Sequence, residues 1–169
     1  MTDKATASKT IHREVRARVT MLIQDSPENV YAAFVDPKQL TKFWLSKASG
    51  PLRIGTAVHW KFMVEGAEVD TTATAMEEGE RLAWDWSDGS KVSIEFEALD
   101  GGTAVTLVND SFPHKGDDLV DAALNASEGF ALVLADLKTL LESGKSAGIA
   151  KAKAKLIALR GHAGVKADK

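Results

Sequence analysis

Seven large aromatic residues have the types and spacing to hold an apolar molecule: Trp44, Trp60, Phe62, Trp84, Trp86, Phe96 and Phe130. Trp60 and Phe62 are two residues apart, as are Trp84 and Trp86, so on extended backbone each pair shares one face. Such a set supports stacking and dispersion contacts with an apolar ligand, or plain core packing. Between the two pairs lies a stretch whose shared face carries only small side chains: Ala67, Val69, Thr71, Ala73 and Ala75. Small residues facing large ones either leave a void or interlock with them, and spacing leaves both open. The inward polar candidates are Thr71, Thr103 and Asn109, which could fix one end of an apolar ligand but form no acid–base pair. Asp85 lies between two tryptophans, yet alternation sends it to the outer face. His12, His59, His114 and His162 are far apart and lack metal-ligand spacing, so neither a metal nor a cofactor is expected. No nucleophile elbow, phosphate-cradling glycine loop or zinc-protease motif occurs.

The elements that must position these residues can be read in order. Val15 to Gln24 alternates apolar and polar, a first strand. Ser26-Pro27 and Asp36-Pro37 each pair a capping residue with a proline at the first helical position, which predicts two short helices, the first through Val35 and the second ending near Phe43-Trp44-Leu45. From Gly50-Pro51 to Val108 the chain reads as strands over 56–64, 67–76, 82–86, 92–96 and 103–108, joined by turns such as Ser87-Asp88-Gly89-Ser90. Short turns between sequential strands imply an antiparallel meander with an apolar inner face. Residues 109–117 read as a loop holding Phe112. Asp118–Glu142 then shows Leu119, Ala123, Ala126, Phe130, Val133, Leu137 and Leu140 at steps of four and three, a long amphipathic helix with Asp121, Asn125, Glu128, Asp136 and Thr139 on the opposite face. At 1.5 Å per residue it spans about 37 Å and must lie across several strands. The expected fold is α+β: a curved antiparallel sheet wrapped around a long C-terminal helix, with two short helices after the first strand.

Length and composition bound what such a fold could do. The chain has 169 residues, 44% of them hydrophobic, enough for one domain with a real core. Net charge is −3; residues 144–169 hold seven Lys or Arg against one Asp, and their net of +6 leaves −9 on residues 1–143. So acidic a body argues against nucleic-acid binding. There is no cysteine, hence no disulfide or thiolate site. No apolar run is long enough to span a bilayer and the N-terminus lacks a signal-peptide pattern, so a soluble, cytoplasmic protein is expected. Residues 1–10 are expected to be disordered, 11–143 to form the domain, and 144–169 to be a basic tail with a partial helix near Ile149–Arg160, either a solvated appendage or an electrostatic arm for an acidic partner or membrane.

Three stretches carry a resemblance. They are Ile23-Gln24-Asp25-Ser26-Pro27-Glu28-Asn29-Val30-Tyr31 through Asp36-Pro37 to Lys42-Phe43-Trp44; Gly101-Gly102-Thr103-Ala104-Val105-Thr106-Leu107 into Ser111-Phe112; and Glu128-Gly129-Phe130 followed by Leu134, Leu137 and Leu140-Leu141-Glu142. In order and spacing the chain resembles the SRPBCC (START/Bet v 1-like) superfamily, and within it the branch related to the activator of Hsp90 ATPase. The basic tail lies outside the resemblance. Two departures stand out: the late-helix pair, usually Gly-Trp, is Gly129-Phe130, and Asn109 stands where many relatives carry a histidine.

The resemblance implies a helix-grip fold with a cavity between sheet and long helix. On this reading the chain binds a hydrophobic small molecule or lipid-like ligand. Trp44 and Phe112 stand at the mouth, and Trp60, Phe62, Val69, Thr71, Ala73, Trp84, Trp86, Phe96, Phe130 and Leu134 form the walls. The resemblance also implies an alternative, a co-chaperone-like module that binds a protein partner. A cyclase or hydrolase on the same fold would need an inward acid–base pair, which the chain does not offer.

Overall fold

The computed structural model describes residues 14–165; the expectation of disorder over residues 1–10 falls outside them. The chain runs β1 (Ala17–Ile23), α1 (Pro27–Val35), α2 (Pro37–Phe43), β2 (Leu45–Ala48), β3 (Ala57–Phe62), β4 (Glu68–Glu77), β5 (Arg81–Trp86), β6 (Lys91–Leu99), β7 (Gly102–Asp110), α3 (Gly116–Ser143) and α4 (Ile149–Val165). One seven-stranded antiparallel sheet has the order β1-β7-β6-β5-β4-β3-β2, a meander closed by β1 returning beside β7. The sheet curves as a half-barrel around α3, the expected α+β helix-grip arrangement.

Local chemistry sets the element ends. Ser26 Oγ accepts from the Asn29 N–H at 3.2 Å and Asp36 Oδ1 from the Lys38 N–H at 2.9 Å, each with proline at the first turn. The α3 helix ends at Gly144, whose φ of 79° supplies the left-handed turn and whose N–H reaches the Leu140 carbonyl. Gly102 permits the close passage of β7 beside β1, because a Cβ there would stand 2.6 Å from the Ile23 carbonyl oxygen.

Four expectations are corrected. The short strand β2 pairs with β3 at the sheet edge, where the sequence reads as a helix end followed by a break. The small-residue face of β4 stops at Ala73: the register slips between Ala73 and Ala75, so Ala75 sits opposite Ala83 and Met76 packs on the core opposite Leu82. The loop after β7 is shorter than 109–117, since β7 runs to Asp110 and α3 begins at Gly116. The tail is not an appendage throughout. Its first turns, as α4, lie against α3 and α2, with Ala154 buried; beyond Lys155 the described side chains are exposed.

Asp136 explains why the tail docks. It belongs to the polar face of α3, but its side chain is only 1% exposed because α4 covers it. Its carboxylate accepts from the Ser146 hydroxyl and, at 3.1 Å, from the Ala150 N–H in the first turn of α4. The adjacent Thr139 hydroxyl accepts from the Ala147 N–H at 2.9 Å. One buried acid thus caps a helix that carries Lys151, Lys153, Lys155 and Arg160 and no acidic residue over 149–161. Among the described residues, no helix is long and apolar enough to cross a membrane.

Two predictions follow from these contacts. Replacing Asp136 with Ala strips the α4 cap and leaves two half-buried donors unpaired, which should cost about 1–3 kcal/mol in denaturant unfolding. Hydrogen exchange should then show α4 amides losing protection while β5–β7 keep theirs. On the outer face, His59 Nδ1 lies 2.7 Å from Asp70 Oδ1, and Glu68 lies 3.6 Å from Nε2. Hydrogen bonding to Asp70, then to Glu68, raises the His59 pKa above its ordinary 6.5 despite partial desolvation. The stabilisation this pairing provides is therefore complete below about pH 6.5 and is lost as pH climbs through the folded value. An NMR titration should place His59 above 6.5, and Asp70→Asn should bring it back down.

Candidate functional site

The inner face of the sheet holds an aromatic cluster built around Trp44. This residue follows α2 and swings its indole under α3, with ring centroids 5.2 Å from Trp60, 5.9 Å from Phe62, 6.2 Å from Trp84 and 5.8 Å from Phe130. Trp60 and Trp84 meet edge to face at 5.4 Å, while Trp86 and Phe130 lie nearly parallel, 6° apart in plane, at 5.8 Å. These separations are those of attractive aromatic pairs.

The small residues of β4 interlock with the tryptophans of its neighbours. Val69 stands opposite Trp60, Ala73 opposite Trp84 and Thr71 opposite Trp86. Trp60 and Trp84 are fully buried in the room this makes. A void does occur, but it lies higher, against the helices. A cavity of about 340 Å³ is bounded by Trp44, Phe62, Met63, Val64, Ala67, Trp86 and Asn109 from the sheet side, by Ala126, Gly129, Phe130, Leu132 and Val133 from α3, and by Ala150, Lys153 and Ala154 from α4. The small residues that keep it open are therefore Ala67 beside the sheet, Ala126 and Gly129 on α3, and Ala150 and Ala154 on α4.

Of the residues expected to line the site, Trp44, Phe62, Trp86 and Phe130 border this cavity. Trp60, Thr71, Ala73, Trp84, Phe96 and Leu134 lie buried behind it as core, and Val69 packs against that core. Phe112 is half-buried in the loop before α3, away from the cavity. Sequence reasoning missed Met63, Val64, Leu132 and Val133 as lining, and, while it expected a helix near Ile149–Arg160, it missed that helix as a wall of the cavity. The α3 stripe of Ala126, Gly129, Phe130 and Val133 and the Ala150/Ala154 pair carried the available signal, small residues at helical spacing.

The polar chemistry is sparse. Thr103 donates to the Asp25 carbonyl at 2.8 Å and Asn109 Nδ2 to the Lys91 carbonyl at 2.9 Å, so both inward polar groups serve the fold. Among the described residues, four buried polar atoms have no protein partner: the indole nitrogens of Trp60, Trp84 and Trp86 and the Thr71 hydroxyl. An unmet buried donor costs about 1–3 kcal/mol, and of these residues Trp86 borders the cavity. Among the described residues, Lys153 is the sole charged side chain lining it; its Nζ lies 2.6 Å from Glu128 Oε1. Asp85 points outward and pairs with Lys91 at 3.1 Å. Among the described residues, no group of three or more His, Cys, Asp or Glu is gathered as a metal site.

Residues 24–142 match the sequence model of a family described as activator of Hsp90 ATPase homolog 1-like protein. Among solved structures, the chain is similar to a protein from Staphylococcus saprophyticus at 27% identity and TM-score 0.67, over 78% of this chain and 94% of that one. It is similar to the Aha1 dimer from Colwellia psychrerythraea at 23% identity and TM-score 0.69, over 78% of this chain and 99% of that one. It is also similar to an AHSA1-like protein from Aeromonas hydrophila at 22% identity and TM-score 0.61, over 79% and 94% of the two chains. The last two likenesses bear on the fold alone. No curated protein matches the chain. The family match ends at residue 142, before α4.

The cavity geometry makes a prediction at Gly129. A Cβ built there meets nothing within 4 Å, and glycine inside a helix is less favourable than alanine. Gly129→Ala should therefore stabilise the protein by about 0.5–1 kcal/mol in chemical denaturation. A loss of stability would mean that the helix or the cavity roof is arranged otherwise.

Proposed function

The chain belongs to the activator of Hsp90 ATPase homolog 1-like family, and from that premise we propose that it binds a hydrophobic small molecule in the cavity between the sheet, α3 and α4. The observation that carries this reading is the cavity itself. About 340 Å³ of space bordered by Trp44, Phe62, Trp86 and Phe130 is large enough for a small ligand and is nearly all apolar. Ring faces supply dispersion and stacking without demanding a fixed shape. Among the described residues no acid–base pair or nucleophile borders the space, so the reading proposed is one of binding.

A second reading, a co-chaperone-like module that binds a protein partner, is favoured by exposed apolar side chains away from the cavity. Leu156, Ile157 and Leu159 on α4 and Val120 and Leu124 on α3 are between 40% and 63% exposed. Exposed apolar groups gathered on helices are what a partner surface uses.

Native mass spectrometry of freshly purified protein separates the two. The expected result is excess mass that disappears on denaturation, and its absence from an Ala126→Trp variant that fills the cavity from α3. A clean apo mass in the wild type, with partner capture that depends on Leu156 and Leu159, would overturn the ligand reading in favour of the second.

A further inference from the structure

The cavity's third wall is foreign to the family-matched segment, and its chemistry differs from the other two. The sheet and α3 contribute aromatic and aliphatic groups, with Asn109 already donating to a backbone carbonyl. The wall from α4 contributes Ala150 and Ala154 together with Lys153, held half-buried at the edge of the space. Lys151 and Lys155 stand two residues to either side of it, exposed and turned to a separate groove, and over 149–161 the helix carries no acidic residue. On a body of net charge −9, this wall is where a positive field meets the cavity.

The acidic groups near Lys153 do not cancel that field. Asp136 is spent on the cap, accepting from Ser146 and Ala150. Glu128 pairs with Lys153 at 2.6 Å, but its side chain is 56% exposed, and an ion pair so open to water contributes little and exchanges readily. Lys153 lines the cavity and Glu128 does not, so a carboxylate bound there would approach the ammonium from the side opposite Glu128.

We infer that the cavity's ligand is a small acid with a flat apolar body, the body lying against Trp86, Phe130 and Trp44 and the carboxylate held by Lys153 of α4. This rests on the binding reading above and adds the ligand's charge and the residue that selects it. Selection is by Coulomb attraction with one charge-assisted hydrogen bond, and it belongs to the tail rather than to the family fold.

The test uses 2-naphthylacetate and its neutral isostere 2-naphthylacetamide, titrated calorimetrically into the full-length protein at pH 7.5 and low salt. The wild type should bind the acid at least fivefold more tightly than the amide. Lys153→Met should erase that difference while leaving amide affinity within twofold and the circular dichroism unchanged. Glu128→Gln, which removes the competing carboxylate, should tighten the acid alone. Equal affinities for acid and amide in the wild type, or an acid preference that survives Lys153→Met, would overturn the inference while leaving the cavity as a neutral binding site. Binding of neither probe to the wild type would instead count against the binding reading beneath it.

Discussion

The structure depends on how β4 sits between β3 and β5. Its register sets Val69 opposite Trp60 and Ala73 opposite Trp84, so that two full-sized indoles can meet edge to face on the inner face without forcing the strands apart. Had β4 carried large side chains there, the sheet would have to open or the tryptophans leave the core, since interiors are packed too densely to absorb the volume. With the indoles seated, Trp44 can close over them from α2, and α3 can rest on Trp44 through Phe130. The slip after Ala73 then turns Met76 inward beneath Leu82, which fills the sheet where no tryptophan reaches.

The second dependency is polar. An acidic side chain at position 136 of a core helix would ordinarily face water. Here it is buried because it offers both carboxylate oxygens to the segment that follows, one to Ser146 and one to Ala150. Burial of a charge is tolerable when its hydrogen bonds are met and a helix N-terminus faces it. The consequence reaches the site: with α4 fixed by its first turn, Ala150, Lys153 and Ala154 become a wall, and an open groove becomes a cavity with three sides.

Much of the fold was legible because alternation and capping are local signals. Ser26-Pro27, Asp36-Pro37, the Trp84/Trp86 alternation and the α3 stripe each point to the element observed. What was not legible depended on contacts distant in sequence. A four-residue edge strand such as β2 has too few residues to show a period, and a bulge such as that after Ala73 is visible only once the partner strand is paired. At the site, inward direction was correctly inferred for Trp60, Trp84 and Phe96, but direction does not distinguish core from lining. They face the core and are covered there, while Trp86 and Phe130, one step further along their elements, border space. Phe112 was placed by its size and its proximity to the resemblance, with no periodicity to support it.

The tail shows why composition alone misleads. Read as composition, Lys-Ala repeats with a thin apolar stripe describe a solvated helix, and beyond Lys155 that description holds. The docking of its first turns is decided by a residue on another element, Asp136, whose burial cannot be read from the tail at all. Fold and function then separate along the chain. The segment that matches the family supplies the aromatic cluster. The segment beyond it supplies the charged side chain on the cavity edge, so a change of selectivity requires no change in the cluster.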